Sequence, residues 1–337
     1  MSAIEMFAQR AKTVSKKLVL PEGMDYRVVA AANMIVERGI AGEVIVLGTP
    51  EELDAACAKA GVTERKFTAL NHLTSPLLQE FEAKFFEMRS KKGISHEDAL
   101  KAVKNRIYFG ALMVRNKLVD GLVAGSIAST PDMLRAAFHC IGTAKGIKIA
   151  SSCFVMDLKH PTASGDNVLL FADCGVNPNP TAEELVDIAM ATSNTYRSLL
   201  GKTPKVAFLS FSTYGSAKHE ILEKIISASK MFKEKVKAEK LDILTDGELQ
   251  ADAALVPAVA ASKAPGSELA GSANVLIFPD LNAGNICYKL VQRLAQADAY
   301  GPILQGLAQP LNDLSRGCTA EDIYGAAVIT VCQSMNN

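Results

Sequence analysis

Short β-branched, apolar runs alternate along the chain with longer segments of helical periodicity, and this alternation limits the fold more than any other feature. The runs are KLVLP (17–21), EVIVLG (43–48), GLVAG (121–125), GIKIASSCFV (146–155), NVLLFAD (167–173), KVAFLS (205–210), LDILTD (241–246) and NVLIFPD (274–280). Several have no polar face, as expected of strands buried on both sides in a largely parallel sheet. Between them, VVAAANMIVERG (28–39) and SPLLQEFEAKFFEMRSKKG (75–93) read as helices, the second with Leu78, Phe81, Phe85 and Met88 on one face. Strands alternating with helices predict an α/β fold with helices packed on sheet faces. At roughly 150 residues per domain, 337 residues make two domains or one large one. No fixed-period repeat and no low-complexity linker breaks the pattern.

In open α/β folds, ligands sit beyond the carboxyl ends of the strands. The loops expected there are GSIASTPD (125–132), CGVNPNP (174–180), SFSTYGSAKH (210–219), SKAPGS (262–267), PDLNAGN (279–285) and AYGPILQGLAQPLNDLSRGCTAED (299–322). The last is too rich in glycine, proline and polar residues to be expected in an ordinary packed core.

Charge narrows the class of ligand. Lys plus Arg number 36 and Asp plus Glu 36, so the chain lacks the net basic field of a general nucleic-acid binder. A local basic pocket for a small anion remains open. The longest uncharged stretch, 323–337, has 15 residues and ends polar, short of the roughly 18 to 20 apolar residues of a membrane span. The first 17 residues have no continuous apolar core, so no secretory signal is expected. Seven scattered cysteines without a CxxC pair read as reduced thiols of a cytoplasmic protein, not as a disulfide frame or a zinc site. GxxxxGK[ST], GxGxxG after a strand, GxSxG and HExxH are all absent, and the five histidines lack metal-ligand spacing.

Four segments could carry chemistry. In NDLSRGCTAED (312–322), Thr319 and Asp322 have capping-box spacing at the start of a terminal helix. Ser315 and Arg316 precede that helix start, where free N–H groups and the helix dipole favour an oxyanion. The other reading is a well-capped helix beside a solvated arginine. In GSIASTPDMLRAAF (125–138), Ser129 or Thr130 caps a helix bearing Arg135, and small side chains would let a ligand approach backbone amides; an ordinary strand–turn–helix is the alternative. In DGELQADAALVP (246–257), helical spacing would put Asp246 with Gln250 and Glu248 with Asp252, either as oxygen ligands for a divalent metal or as a solvated acidic stretch. Cys318 lies near a helix start that would lower its thiol pKa, unless it is simply a small buried residue.

The blocks VLPEGMDYRVVAAA (19–32), DGLVAGSIASTPDMLR (120–135), DGELQADAALVPAVAASKAPGSELAGSANVLIFPDLNAGNICYKLVQRL (246–294) and AYGPILQGLAQPLNDLSRGCTAEDI (299–323) together resemble the phosphate acetyltransferase (phosphotransacetylase) family in its short, single-module form. The resemblance covers nearly the whole chain. It implies reversible acetyl transfer, acetyl-CoA plus phosphate to CoA plus acetyl phosphate. It also implies two α/β domains with a cleft between them, like isocitrate and isopropylmalate dehydrogenases, and a homodimer. By that analogy domain I is 1–147 plus 305–337, and domain II, the dimerisation domain, is 148–304. Coenzyme A enters as substrate, with no tightly bound cofactor and no metal; no nucleic acid or membrane is a partner.

Carried onto matching motifs, the resemblance assigns Ser315, Arg316 and Asp322 to catalysis. Arg89, Arg135, Ser129, Thr130 and Tyr300 become binding residues for CoA or phosphate. Arg89 falls in EMRSKKG, where the family typically reads ELRKHKG, and Tyr300 in an AYGPI loop on the CoA side. The family often has a histidine near the ST pair, where this chain reads GSIAST. The implied roles are Asp322 as base for the CoA thiol, and Arg316 with Ser315 as stabilisers of developing oxyanion charge. Two other activities fit the same pattern: a phosphate butyryltransferase-like enzyme, and a metal- and NAD(P)-dependent decarboxylating dehydrogenase using the 246–252 carboxylates.

Overall fold

The computed structural model describes residues 2–336, and the chain divides into two compact units. The first comprises Ala3–Ala144 with the C-terminal segment from Leu307, and the second Lys145–Gly306. Each is an α/β unit with its own sheet.

The first unit contains β1 (Lys17–Leu20), β2 (Glu43–Leu47), β3 (Thr68–Leu70), β4 (Gly121–Ala124) and, from the far end of the chain, β11 (Leu311–Asp313). They form one parallel sheet in the order β11-β4-β1-β2-β3. Its central strands, β1 and β4, are almost wholly buried, which accounts for their lack of a polar face. The helix Ala320–Gln333 packs on the helices Tyr26–Glu37 and Ala3–Ala11 and buries Ile323, Ala327, Val328, Ile329 and Val331. In the helix Leu77–Arg89, Phe81 and Phe85 are buried and Leu78 and Met88 half-buried, with the Phe81 ring 5.0 Å from Phe109. Each large buried side chain contributes roughly 1.5–3 kcal/mol.

The second unit holds β5 (Ser151–Asp157), β6 (Val168–Ala172), β7 (Lys205–Leu209), β8 (Leu244–Leu249), β9 (Val275–Ile277) and β10 (Asp298–Gln305) in the order β10-β5-β6-β9-β7-β8. β6, β9, β7 and β8 run parallel, while β10 and β5 pair antiparallel, as do β5 and β6. The core includes Phe154, Phe171, Leu209, Leu249, Leu276 and Phe278. The helix Leu281–Leu294 lays Tyr288 flat on Phe154, 3.9 Å between centroids, and leaves Ile286, Leu290 and Leu294 exposed at 58%, 52% and 79%.

Each of the eight apolar runs contributes a strand. Three expectations fail. The segment 299–322 is not one long loop, because it contains most of β10 and all of β11. β10 is an edge strand whose register shifts between Tyr300 and Ile303, so Gly301 and Pro302 sit in the interruption. Tyr300 therefore lies on a strand, opposite Val155, instead of in a loop. The stretch 246–249 is strand β8 and not the start of a helix, which begins at Ala251. Its poor strand formers are held individually: Asp246 accepts from the Tyr214 hydroxyl, and Glu248 from Ser212 Oγ at 2.9 Å and Gly215 N at 2.7 Å.

Candidate active site

Most of the candidate residues belong to the first unit, at the carboxyl ends of β1, β4 and β11. β4 ends at Ala124 and β11 at Asp313, neighbouring strands that deliver the loops 125–130 and 314–319 side by side.

Glu22, just beyond β1, fixes the first loop. Its buried carboxylate accepts from the N–H groups of Gly125 (2.8 Å), Ser126 (2.8 Å), Ile127 (3.0 Å) and Ala128 (2.7 Å), and from Ser126 Oγ (2.9 Å). The amides expected to be open to a ligand are therefore occupied by the protein's own anion, because Glu22 reaches the nest first. Gly125 allows this approach: its φ is +111°, and a Cβ there would lie 2.3 Å from Asp313 Oδ1.

Arg27 ties the two loops together. It donates to Arg316 O at 2.8 Å, Cys318 O at 2.7 Å and Ser126 O at 3.0 Å, while Asp25 holds its guanidinium at 2.6 Å. Burial works against the charge on Asp25, but the Arg27 hydrogen bonds prevail and keep its carboxyl below the usual range.

The helix after the second loop opens with the expected capping box. Asp322 Oδ2 accepts from Thr319 N and Oγ1, both at 2.8 Å, and Thr319 Oγ1 accepts from Asp322 N at 3.2 Å. Among the described residues Asp322 Oδ1 has no hydrogen-bond partner, so the cap orients the exposed carboxylate and leaves one oxygen free. Ser315 and Arg316 are exposed, and the Arg316 guanidinium makes no hydrogen bond or ion pair among the described residues. Its backbone is clamped by Arg27 while its charge faces solvent. Cys318 is buried, and that burial raises its thiol pKa despite the Arg27 charge, so it is not the activated thiol that its place near a helix start suggested.

Ser129 is the cap of the helix Thr130–Ala136: its hydroxyl accepts from Asp132 N and donates to Asp132 Oδ2 at 2.7 Å. Thr130 turns to Asp313 instead, donating to Oδ2 at 2.5 Å. Burial pushes the Asp313 carboxyl up to about 6, and the nearby Glu22 charge adds to this. Arg135 is exposed and paired with Asp132 at 3.0 Å, an i,i+3 surface pair worth about 0–1 kcal/mol. It lies about 7.5 Å along the helix from Thr130, at 1.5 Å per residue.

Arg89, half-buried at the end of the helix Leu77–Arg89, meets His139 Nε2 at 3.2 Å, and the other ring nitrogen of His139 meets the Tyr108 hydroxyl at 3.1 Å. Arg89 and Arg135 both bear electrostatically on His139 and Tyr108, so the two arginines share one neighbourhood. Tyr300 belongs to the second unit and is half-buried on β10.

The 246–252 carboxylates do not gather. Asp246 and Glu248 are committed to the partners named above, Asp252 pairs with Lys263 at 2.7 Å, and among the described residues no group of three or more His, Cys, Asp or Glu is placed to hold a metal.

Sequence reasoning missed Glu22, Asp25, Arg27, Asp313 and His139. The available signal was PEGMDYR (21–27), three charged residues directly after a buried strand of a parallel sheet, where ligand-side residues lie. Metal-ligand spacing does not reveal His139, whose partners Tyr108 and Arg89 lie 31 and 50 residues away.

Residues 2–331 match a profile of the phosphate acetyl/butaryl transferases. A phosphate acetyltransferase of Thermoanaerobacterium thermosaccharolyticum is 48% identical over 334 residues, spanning 99% of this chain and 100% of the relative. A phosphate acetyltransferase of Acetivibrio thermocellus is 48% identical over 335 residues, 99% of this chain and 98% of the relative. A solved phosphotransacetylase of Streptococcus pyogenes is 41% identical with a TM-score of 0.91, covering 99% of this chain and 98% of that one.

Proposed function

The chain belongs to the phosphate acetyl/butaryl transferase family, and we propose how its residues carry out the phosphate acetyltransferase reaction, acetyl-CoA plus phosphate to CoA plus acetyl phosphate. The observation that carries the proposal is the pairing, on one clamped loop and helix start, of an unpartnered guanidinium at Arg316 with a capped, exposed carboxylate at Asp322.

In the direction of acetyl-CoA formation, Asp322 Oδ1 takes the proton of the CoA thiol. The thiolate then attacks the carbonyl carbon of acetyl phosphate, forming the C–S bond. The carbonyl oxygen gains negative charge, the C–O bond to phosphate breaks, and phosphate leaves with that electron pair. Arg316 supports the developing oxyanion, and Ser315 adds a hydroxyl donor. Arg89 and Arg135 hold phosphate oxygens, guanidinium groups being suited to bidentate oxyanion contact, while Ser129 and Thr130, whose hydroxyl protons go to Asp132 and Asp313, offer their backbone N–H groups. The reverse reaction uses the same groups, with Asp322 returning the proton to the thiolate.

The test is release of free thiol from acetyl-CoA by the purified protein. Thiol should appear only with phosphate, or with arsenate as substitute acceptor, and butyryl-CoA should be the poorer substrate. Phosphate-independent release, or none, would refute the reading. All seven cysteines are free, which supports a cytoplasmic setting.

The second unit supports a homodimer. Ile286, Leu290 and Leu294 recur at i, i+4 and i+8 on one exposed face of the helix Leu281–Leu294, a stripe suited to a second copy. The double substitution Leu290→Lys, Leu294→Glu should halve the mass measured by light scattering. A wild-type protein that is already monomeric would end this idea.

A further inference from the structure

We propose that His139 is a positioning residue for oxyanion recognition: its neutral imidazole, with the proton on Nδ1 and the lone pair on Nε2, holds the Arg89 guanidinium ready for a phosphate group, and protonation releases it. The proposal rests on the reading of Arg89 as a binding residue.

The geometry fixes the tautomer. A guanidinium has only donors, so Nε2, 3.2 Å from Arg89 Nη2, must accept. Nδ1 then carries the proton and donates to the Tyr108 oxygen 3.1 Å away. Tyr108 is itself held by Phe85, edge to face at 5.6 Å, from the helix that ends in Arg89. His139 lies in the π-helical turn Ala137–Ile141, pinned where Arg115 donates to Cys140 O at 3.0 Å. Arg89 is thus held from both ends, by its own helix and by His139.

The surroundings favour the neutral ring. Burial lowers the His139 pKa from the ordinary 6.5, and the charges of Arg89 and Arg135 lower it further. The other ionisable groups do not reverse this. Tyr108 is raised by burial and stays protonated, the Cys140 thiol is pushed up to about 12, Asp132 is engaged with Arg135, and Arg115 is engaged with backbone carbonyls. As the pH falls through the lowered pKa, the ring gains a proton at Nε2. The acceptor becomes a donor, two cations stand about 3.2 Å apart, and Arg89 is driven off.

The test is steady-state thiol release with phosphate and acetyl-CoA varied separately, so that the affected KM shows whether Arg89 serves inorganic phosphate or a CoA phosphate. His139→Leu should raise one of the two KM values roughly tenfold, with kcat falling less than KM rises. His139→Gln, whose amide offers one acceptor and one donor, should restore that KM. In the wild type the same KM should rise as the pH falls well below the ordinary imidazole range, whereas in His139→Gln it should stay flat. Unchanged KM values in His139→Leu beside a raised KM in Arg89→Gln would overturn the role of His139 alone. Unchanged KM values in Arg89→Gln would overturn the role of Arg89 and this proposal with it. A His139→Gln variant that fails to restore KM, or keeps the pH-dependent rise, also overturns it.

Discussion

Arg316→Ala should lower kcat by on the order of 10²-fold or more while leaving the fold intact. The guanidinium is exposed and has no partner among the described residues, so its loss removes no packing and orphans no buried group. Its stability cost should stay within about 0.5 kcal/mol, the usual range for surface substitutions. The backbone clamp from Arg27 to the carbonyl of residue 316 survives, because that contact does not depend on the side chain. Far-ultraviolet circular dichroism and the denaturant midpoint should match the wild type. Arg316→Lys, which keeps the charge but loses the planar fork, should fall between the two. A folded Arg316→Ala protein with near-normal turnover would remove Arg316 from the chemistry.

Glu22→Ala should be the most destabilising of the substitutions considered. Four backbone N–H groups and the Ser126 hydroxyl converge on this buried carboxylate, and truncation leaves them without an acceptor. Unpaired buried donors cost about 1–3 kcal/mol each, but water entering the vacated space would offset part of that, so a net loss of about 3–5 kcal/mol is expected. The denaturant midpoint should fall with little change in slope. Turnover should fall as well, because the same loop leads into Ser129 and Thr130. If the Ala variant does not fold, Glu22→Gln supplies the measurement: its NH₂ group must face N–H donors, and it should still be clearly destabilised. A Gln variant as stable as the wild type would show that Glu22 does not organise the loop.

The contrast between Arg316 and Glu22 explains what the sequence made legible. Periodicity and runs without a polar face locate elements whose environment is apolar, so the eight buried runs and the helix Leu77–Arg89 were readable. β10 and β11 were not, because their stability comes from pairing instead of composition. β10 carries a Gly–Pro interruption, and β11 is three residues whose Asn312 is satisfied by Thr330 at 2.8 Å. The capping box at Thr319 and Asp322 was readable because its partners are three residues apart. Glu22, Arg27 and Asp313 act over separations of 99 to 291 residues, so that even where PEGMDYR marks the place, local pattern does not show which residues they reach. His139 is hidden for the same reason: its partners Arg89 and Tyr108 lie 50 and 31 residues away.

The position of β11 at the end of the first unit's sheet bears on how the enzyme comes off the ribosome. That sheet begins with β1 near the start of the chain, yet its last strand and the helix Ala320–Gln333 are translated after the whole second unit. Synthesis therefore delivers a complete second unit while the first still waits with β4 unpaired along one side. Ser315, Arg316 and Asp322 all lie in this final segment. A message cut short before Leu311 thus yields a chain without Ser315, Arg316 and Asp322, the residues proposed above for the reaction, so on that proposal acetyl transfer waits until Leu311 and the residues after it have been made.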